Sequence, residues 1–373
     1  MGRHVIPLGR ILGIPLGLDY SWFLIFVLLT WTLAEGYYPA EFKGWPTAQY
    51  WVLGAVTAIM LFVSVVLHEL GHSVVAMSYR IPVRSITLFI FGGIAQIGAE
   101  PPSAAAEFWI AVAGPAVSFA LAVFFAILSP LFLGVMPLFA LLTYLAYING
   151  ALVVFNLIPG FPLDGGRVFR AIVWGITGNL RRATMIAGGV GRFIGFFFII
   201  LGVWLVLRGY LFNGLWIAFI GWFLESTAGA QIMYQMVESL LAGHKVSDAM
   251  SGNYAEVPAE MVLQDLVDHH ILAGGRRAFV VKTGDDVVGL LTLHRIKEVP
   301  RTAWPTTTAT QVMIPAAQMK CTRPDAGLAD ALKAMDRNGV NQLPVMTDGR
   351  MLGMLTREGI ISYLGTLQEF EPR

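Results

Sequence analysis

Charge is scarce in this chain and thiols are nearly absent. Of its 373 residues, 13% are charged and one is a cysteine, Cys321. An average soluble protein carries roughly 25% charged residues. A lone cysteine excludes an intrachain disulfide framework and a multi-thiolate metal site built from one chain. By the burial habits of free thiols, Cys321 is expected to be buried or half-buried. The net charge is +1 and no basic cluster stands out, so no direct nucleic-acid partner is expected. The N-terminal apolar run lacks a small-residue cleavage site and reads as a first spanning helix, not a removable signal.

What is present is apolar: 56% of residues are hydrophobic and the mean hydropathy is +0.67. The charge deficit is uneven. Residues Met1–Leu240 hold 11 Lys+Arg and 9 Asp+Glu, and the remainder holds 14 and 15. This reads as a membrane part followed by a soluble part. A spanning helix needs about 20 largely apolar residues, and six stretches qualify: Leu18–Leu33, Trp51–Ser78, Ala104–Leu128, Leu138–Leu157, Ile186–Leu207 and Leu215–Met233. Trp22, Trp51, Tyr144 and Trp216 are expected near the ends, where amphipathic rings favour the interface. Arg3, Arg10, Arg80, Arg84, Arg181 and Arg182 fall in loops of one side, against Lys43 and Arg208 on the other. The positive-inside rule then places both termini and the soluble part in the cytoplasm.

After Leu241 two segments echo each other at an offset of about 64 residues. Val246–Met250 matches Ala309–Met313, Ala278–Val281 matches Leu343–Met346, and Gly289–Thr292 matches Gly353–Thr356. Gly284–Asp286 and Asp348–Gly349 supply turn formers between paired strands, and Glu260–His270 and Leu328–Asn338 read as amphipathic helices. Tandem repeats of this kind are expected to pair around one shared core.

Chemistry concentrates in Leu67-His68-Glu69-Leu70-Gly71-His72. On a helix, His68 and His72 share a face, so both imidazoles can reach one Zn²⁺, with Glu69 beside them as a base for water. Two histidines and a glutamate in a bilayer are costly unless paired or functional. A catalytic zinc usually has three protein ligands. Glu107 and Glu225 lie within unbroken helical stretches, and Glu107 is near enough to a helix end to reach the interface. Asp164 is the better third ligand, in Asn156-Leu-Ile-Pro159-Gly-Phe-Pro162-Leu-Asp164-Gly165-Gly166-Arg167. Its two prolines break a helix and its glycines allow close approach, although a capping role for Asp164 stays open. Asn156 suits hydrogen bonding to substrate better than metal binding. The run Ser85–Gly98, with Gly92 and Gly93, is strand-like; it offers an edge for an extended substrate or a re-entrant packing element. Gly114-Pro115 reads as a kink or close-packing point.

Taken together, His68-Glu69-Leu-Gly-His72 and Asn156…Pro159…Pro162-Leu-Asp164-Gly165 resemble the intramembrane metalloproteases of the site-2 protease family, over residues 1–240. The resemblance implies one Zn²⁺ held by His68, His72 and Asp164, Glu69 as catalytic base, and Asn156, Gly92 and Gly93 along the substrate path. It implies a single-span membrane-protein substrate, such as an anchored regulator or anti-sigma factor, in contact with membrane lipid. The fourth span would be broken and resume to about Ile176. Residues 245–305 and 309–368 resemble a tandem pair of cystathionine-beta-synthase-type (CBS) domains of cytoplasmic α/β structure, which implies adenosine-nucleotide binding or homodimerisation. The ribose-binding acid expected three residues after the threonine is Arg295 after Thr292 and Gly359 after Thr356. A nucleotide site and a dimerising or gating scaffold therefore both stay open. The expected fold is thus a polytopic α-helical membrane protein with a short re-entrant β element and a CBS pair. A transporter or channel using His68, His72 and Asp164 for ion transit is the competing class, and a non-catalytic membrane scaffold is a third; neither requires Glu69.

Overall fold

The computed structural model describes residues 5–90, 92–272, 276–348 and 350–370, so Arg3 and Gly349 lie outside the described residues. The chain divides into two compact units, Met1–Gln235 and Met236–Arg373.

The first unit opens on a β-hairpin, β1 (Val5–Ile11) and β2 (Ile14–Asp19), not on a helix. The first span therefore starts later than Leu18, which lies in β2. Asp19 Oδ1 accepts hydrogen bonds from both the backbone N–H and the hydroxyl of Ser21, which opens α1 (Ser21–Thr32). β2 pairs in parallel with β3 (Val83–Phe89), and β3 pairs antiparallel with β4 (Gly92–Ile97). The sheet order is β1-β2-β3-β4, which leaves β4 at an edge.

The helices are α2 (Thr47–Ser78), α3 (Ala104–Leu128), α4 (Met136–Asn156), α5 (Asp164–Thr177), α6 (Leu180–Leu207) and α7 (Leu211–Leu241). Among the described residues, five helices are long and apolar enough to cross a membrane: Ser21–Glu41, Thr47–Ser78, Ala104–Phe132, Met136–Asn156 and Leu180–Leu207. These make the unit a multi-pass, α-helical membrane region. α7 is 31 residues long but carries Asn213 and Glu225 and stands outside that set. Phe119, Phe124, Ile127, Phe193 and Leu207 are exposed, as large apolar side chains facing hydrocarbon should be. Tyr144 departs from its expected place at a helix end. It lies within α4 and packs on Tyr37 and Tyr38, because a buried aromatic cluster takes up its ring.

The break after α4 falls where the two prolines require it. α4 ends at Asn156, and α5 begins at Asp164 after a loop that includes a cis Phe161–Pro162 bond. Gly165 and Gly166 let that loop fold back onto the start of α5: a Cβ on Gly165 would collide with the carbonyls of Leu157 and Ile158, and one on Gly166 with Gly160 and Phe161.

In the second unit β5 (Ala255–Pro258), β6 (Ala278–Thr283), β7 (Asp286–Thr292) and β8 (Ile314–Pro315) form one sheet. β9 (Gln342–Thr347) and β10 (Arg350–Thr356) form a hairpin flanked by α8 (Leu328–Asn338) and α9 (Arg357–Phe370). The repeat is visible as β6–β7 against β9–β10. The expectation of one shared core is corrected. Each half has its own core, one around Leu263, Phe279 and Leu291 and one around Leu328, Met335 and Leu355. A small joint cluster of Val280, Leu290 and Met354 lies between the halves. They also exchange edges: Lys245 and Ser251 bridge to Gly327 and Met354, while Thr308 bridges back to Val262. Cys321 is exposed, contrary to expectation. Its neighbour Thr322 makes a bridge to Val345, and in extended backbone adjacent side chains alternate sides.

Candidate metal centre

His68 and His72 lie one turn apart on α2, and both are buried, at 6% and 3% exposure. α3 crosses α2 at this level and fixes both rings from behind. His72 Nδ1 is 2.7 Å from the carbonyl oxygen of Ile110, and His68 Nδ1 is 2.9 Å from Ser118 Oγ. A carbonyl only accepts, so His72 Nδ1 carries a proton, and in the neutral ring its Nε2 presents a lone pair. Both Nε2 atoms face Asp164, each 3.1 Å from Oδ2 and 3.2 Å from the other. These three atoms form a group that could hold a metal ion.

The donor set fits zinc on two grounds. With His72 neutral, its Nε2 and the carboxylate oxygen are both acceptors, and a metal cation between them satisfies both. The spacing also matches the edge of about 3.3 Å expected for a tetrahedron whose ligands lie about 2.0–2.1 Å from its centre. Asp164 is the first residue of α5 and makes no capping hydrogen bond there, so the capping alternative is not realised. The break after α4 delivers its carboxylate to α2.

Glu69, next to His68, is held from the opposite direction by β4. The Ala95 N–H donates to Glu69 Oε2 at 3.2 Å, and a Cβ on Gly93 would stand 2.6 Å from Glu69 Cγ. The structure thus brings Gly93, but not Gly92, against the glutamate. Asn156 is half-buried at the end of α4, and its side chain has no hydrogen-bond partner among the described residues.

Three features escaped the sequence reading. Gly114 is a close-packing point, as expected, but what packs on it is the site itself. An added Cβ would overlap His72 Nε2 and lie 2.6 Å from His68 Nε2. Ser118 and the Ile110 carbonyl, which orient the two rings, carried no motif. Glu107 was expected near an interface; instead it has 0% exposure and is ion-paired with Arg170 of α5, itself 7% exposed. Helical spacing from Glu107 could not reveal a partner on another helix. Glu225 is likewise paired, with Arg192 of α6 at 2.9 Å, away from the metal group.

The sequence pattern of Peptidase family M50 matches residues 56–138 and 133–202, and that of the CBS domain matches 309–366. A Synechocystis sp. protein assigned as a zinc metalloprotease is 36% identical over 364 residues, covering 97% of this chain and 96% of its own. Rip3 of Mycobacterium tuberculosis, assigned likewise, is 34% identical over 99% of this chain and 95% of its own. The solved site-2 protease of Methanocaldococcus jannaschii is 31% identical, with a TM-score of 0.41, over 61% of this chain and 95% of that one. With relatives of this identity along nearly its whole length, the chain belongs to peptidase family M50, fused to a CBS-domain region.

Proposed function

We propose that the protein is a zinc metalloendopeptidase that hydrolyses peptide bonds of single-span membrane proteins within the bilayer, near its cytoplasmic side. The observation that carries this reading is the convergence of His68, His72 and Asp164 within 3.2 Å, beside a glutamate that is not part of the triad. His68, His72 and Asp164 hold the metal and Glu69 is the catalytic base. When bound, zinc acidifies a water and polarises the scissile carbonyl.

The remaining steps belong to side chains. Glu69, steadied by the Ala95 N–H, takes a proton from the attacking water and later delivers it to the leaving amine. The unpaired edge of β4 receives the substrate as an added strand, with Gly92 leaving room beside it and Gly93 admitting Glu69 to the same strand. A helical substrate has its backbone groups closed on themselves, so it must be extended before the carbonyl is reachable. Asn156 then holds a substrate backbone group. A transporter would not require a base beside the triad, and Glu69 in that position favours hydrolysis.

The protease part comprises residues 1–240 with six spans, counting α7, and the sheet bearing β4 is its re-entrant element. The CBS pair, 245–305 and 309–368, lies in the cytoplasm with both termini. It regulates the protease or joins two copies of the chain. The side chains of Thr292 and Thr356 cap the helices that follow them, accepting from the Arg295 and Gly359 N–H groups. With Arg295 and Gly359 where a ribose-binding acid would stand, a dimerising or gating scaffold is the simpler role.

Purified protein in lipid is incubated with tagged single-span substrates, comparing wild type with Glu69→Gln and Asp164→Ala. Glu69→Gln should keep zinc and lose cleavage, and Asp164→Ala should lose zinc. Full-rate cleavage by zinc-loaded Glu69→Gln would overturn the mechanism.

A further inference from the structure

Among the described residues, Arg167 is a cationic side chain beside the metal group that has no hydrogen-bond or ion-pair partner. It follows Asp164 by three residues on α5, so the two side chains are neighbours on one helix face. It stands within electrostatic range of Asp164, Glu107 and Glu69. Among the described residues it makes no hydrogen bond or ion pair. Arg170 takes Glu107 Oε1 instead, and Glu107 Oε2 stays unpartnered although Arg167 is near enough to feel its charge.

The formal charges show why this matters. Glu107 and Arg170 cancel. With two neutral imidazoles, Asp164 and Glu69 cancel the charge of one Zn²⁺. Among these groups Arg167 is then the surplus positive charge, with the exposed Glu100 as the next acid outward, and an uncompensated cation within a membrane protein is costly. A guanidinium in this position can meet negative charge that arrives with the reaction.

We infer that the Arg167 guanidinium stabilises the negative charge that develops on the scissile carbonyl oxygen, and afterwards holds the carboxylate of the cleaved product. The inference rests on the proposed peptidase reaction. In that reaction the water oxygen bonds to the carbonyl carbon, the C–N bond breaks, and the amine leaves with a proton delivered by Glu69. The former carbonyl oxygen ends as one oxygen of a new C-terminal carboxylate. The fork of Arg suits that group, since two parallel N–H donors match two carboxylate oxygens. Electrostatic donors placed where charge develops are worth about 10²–10³ in kcat each.

The test compares zinc-loaded wild type, Arg167→Met and Arg167→Lys in lipid. Zinc content and thermal unfolding are measured first; Arg167→Met should hold zinc like wild type and unfold no earlier. Its kcat should fall by about 10²–10³, with KM changed by less than about threefold, and Arg167→Lys should recover part of the loss. A second readout needs no turnover. In a Glu69→Gln background, binding is measured for a product peptide with a free C-terminal carboxylate and for its C-terminal amide. Arg167→Met should cut the preference for the carboxylate at least tenfold. An unchanged preference, an unchanged kcat or loss of zinc would each overturn the inference. Failure of the peptidase reading itself shows separately, as cleavage by Glu69→Gln alone.

Discussion

Gly114→Ala should remove zinc from the protein while adding a single methyl group. The new Cβ would overlap His72 Nε2 and stand 2.6 Å from His68 Nε2. Ordinary contact begins near 3.5 Å, so the His68 nitrogen alone would have to retreat by about 0.9 Å. Zinc–ligand distances tolerate shifts of about 0.2 Å. The rings cannot swing aside cheaply, because their Nδ1 atoms are tied to Ile110 and Ser118 on the same helix as Gly114. Either α3 separates from α2 or the ligands leave register. Loss of an orienting contact alone weakens metal binding by about 10–100-fold, so displaced ligands should cost at least about 100-fold. Zinc is titrated against a competing chelator, with metal content read by mass spectrometry. The sign of the backbone effect sharpens the test. Alanine favours a helix interior over glycine by about 0.5–1 kcal/mol, so weaker zinc binding cannot come from helix propensity. Wild-type zinc affinity in Gly114→Ala would refute the reasoning.

Ser118→Ala removes a milder constraint and should weaken zinc binding by about 10–100-fold while leaving His72 anchored, as the same chelator titration would show. Arg170→Met removes the ion-pair partner of the Glu107 carboxylate, which has 0% exposure. It should destabilise the protein by up to about 3–5 kcal/mol, less whatever the nearby Arg167 offsets, whereas Glu107→Leu/Arg170→Met should recover most of that loss. Thermal unfolding in detergent decides between the two. Cys321 is the chain's one thiol and is exposed, so a maleimide should label native protein at one site. Partial burial pushes the thiol above its ordinary range, so the labelling rate should still be climbing as pH passes about 8.5; a plateau below that pH would contradict it.

Much of the site was legible because its chemistry follows local spacing. His68 and His72 meet through the helix repeat alone, and Pro159 and Pro162 mark the break that frees Asp164. The repeat in the second unit was legible for the same reason: β6 and β7 recur as β9 and β10 with the same turn chemistry. The β1–β2 hairpin was not legible, because Val5–Asp19 is an apolar stretch running into the first span and short apolar runs do not separate strand from helix. Gly114, Ser118 and the Ile110 carbonyl act only through the crossing of α2 and α3. Nothing in α3 by itself says that the space beside a glycine belongs to imidazoles of another helix. The Glu107–Arg170 pair joins residues 63 positions apart, so local pattern was silent about it too.

That pair explains how a carboxylate on a short helix can be a dependable ligand. α5 has 14 residues, or about 21 Å of helix, which falls short of the roughly 30 Å of hydrocarbon. The bilayer therefore does not fix its depth by hydrophobic length, as it does for α2 or α6, and contacts inside the protein must do so. At its start, Gly165 and Gly166 seat the helix under the loop from Leu157 to Leu163. Farther along, Arg170 pairs with Glu107 of α3 and lies over the Phe161 ring at 5.3 Å. Asp164 is held between these two anchorages. Because α3 also carries Gly114, Ser118 and Ile110, one helix sets both histidines and, through Glu107, the third ligand. A buried charge pair is rarely the cheapest way to stabilise a fold. Here it ties the depth of α5 to the helix that orients the histidines, and an apolar pair of equal volume would leave α5 freer to slide.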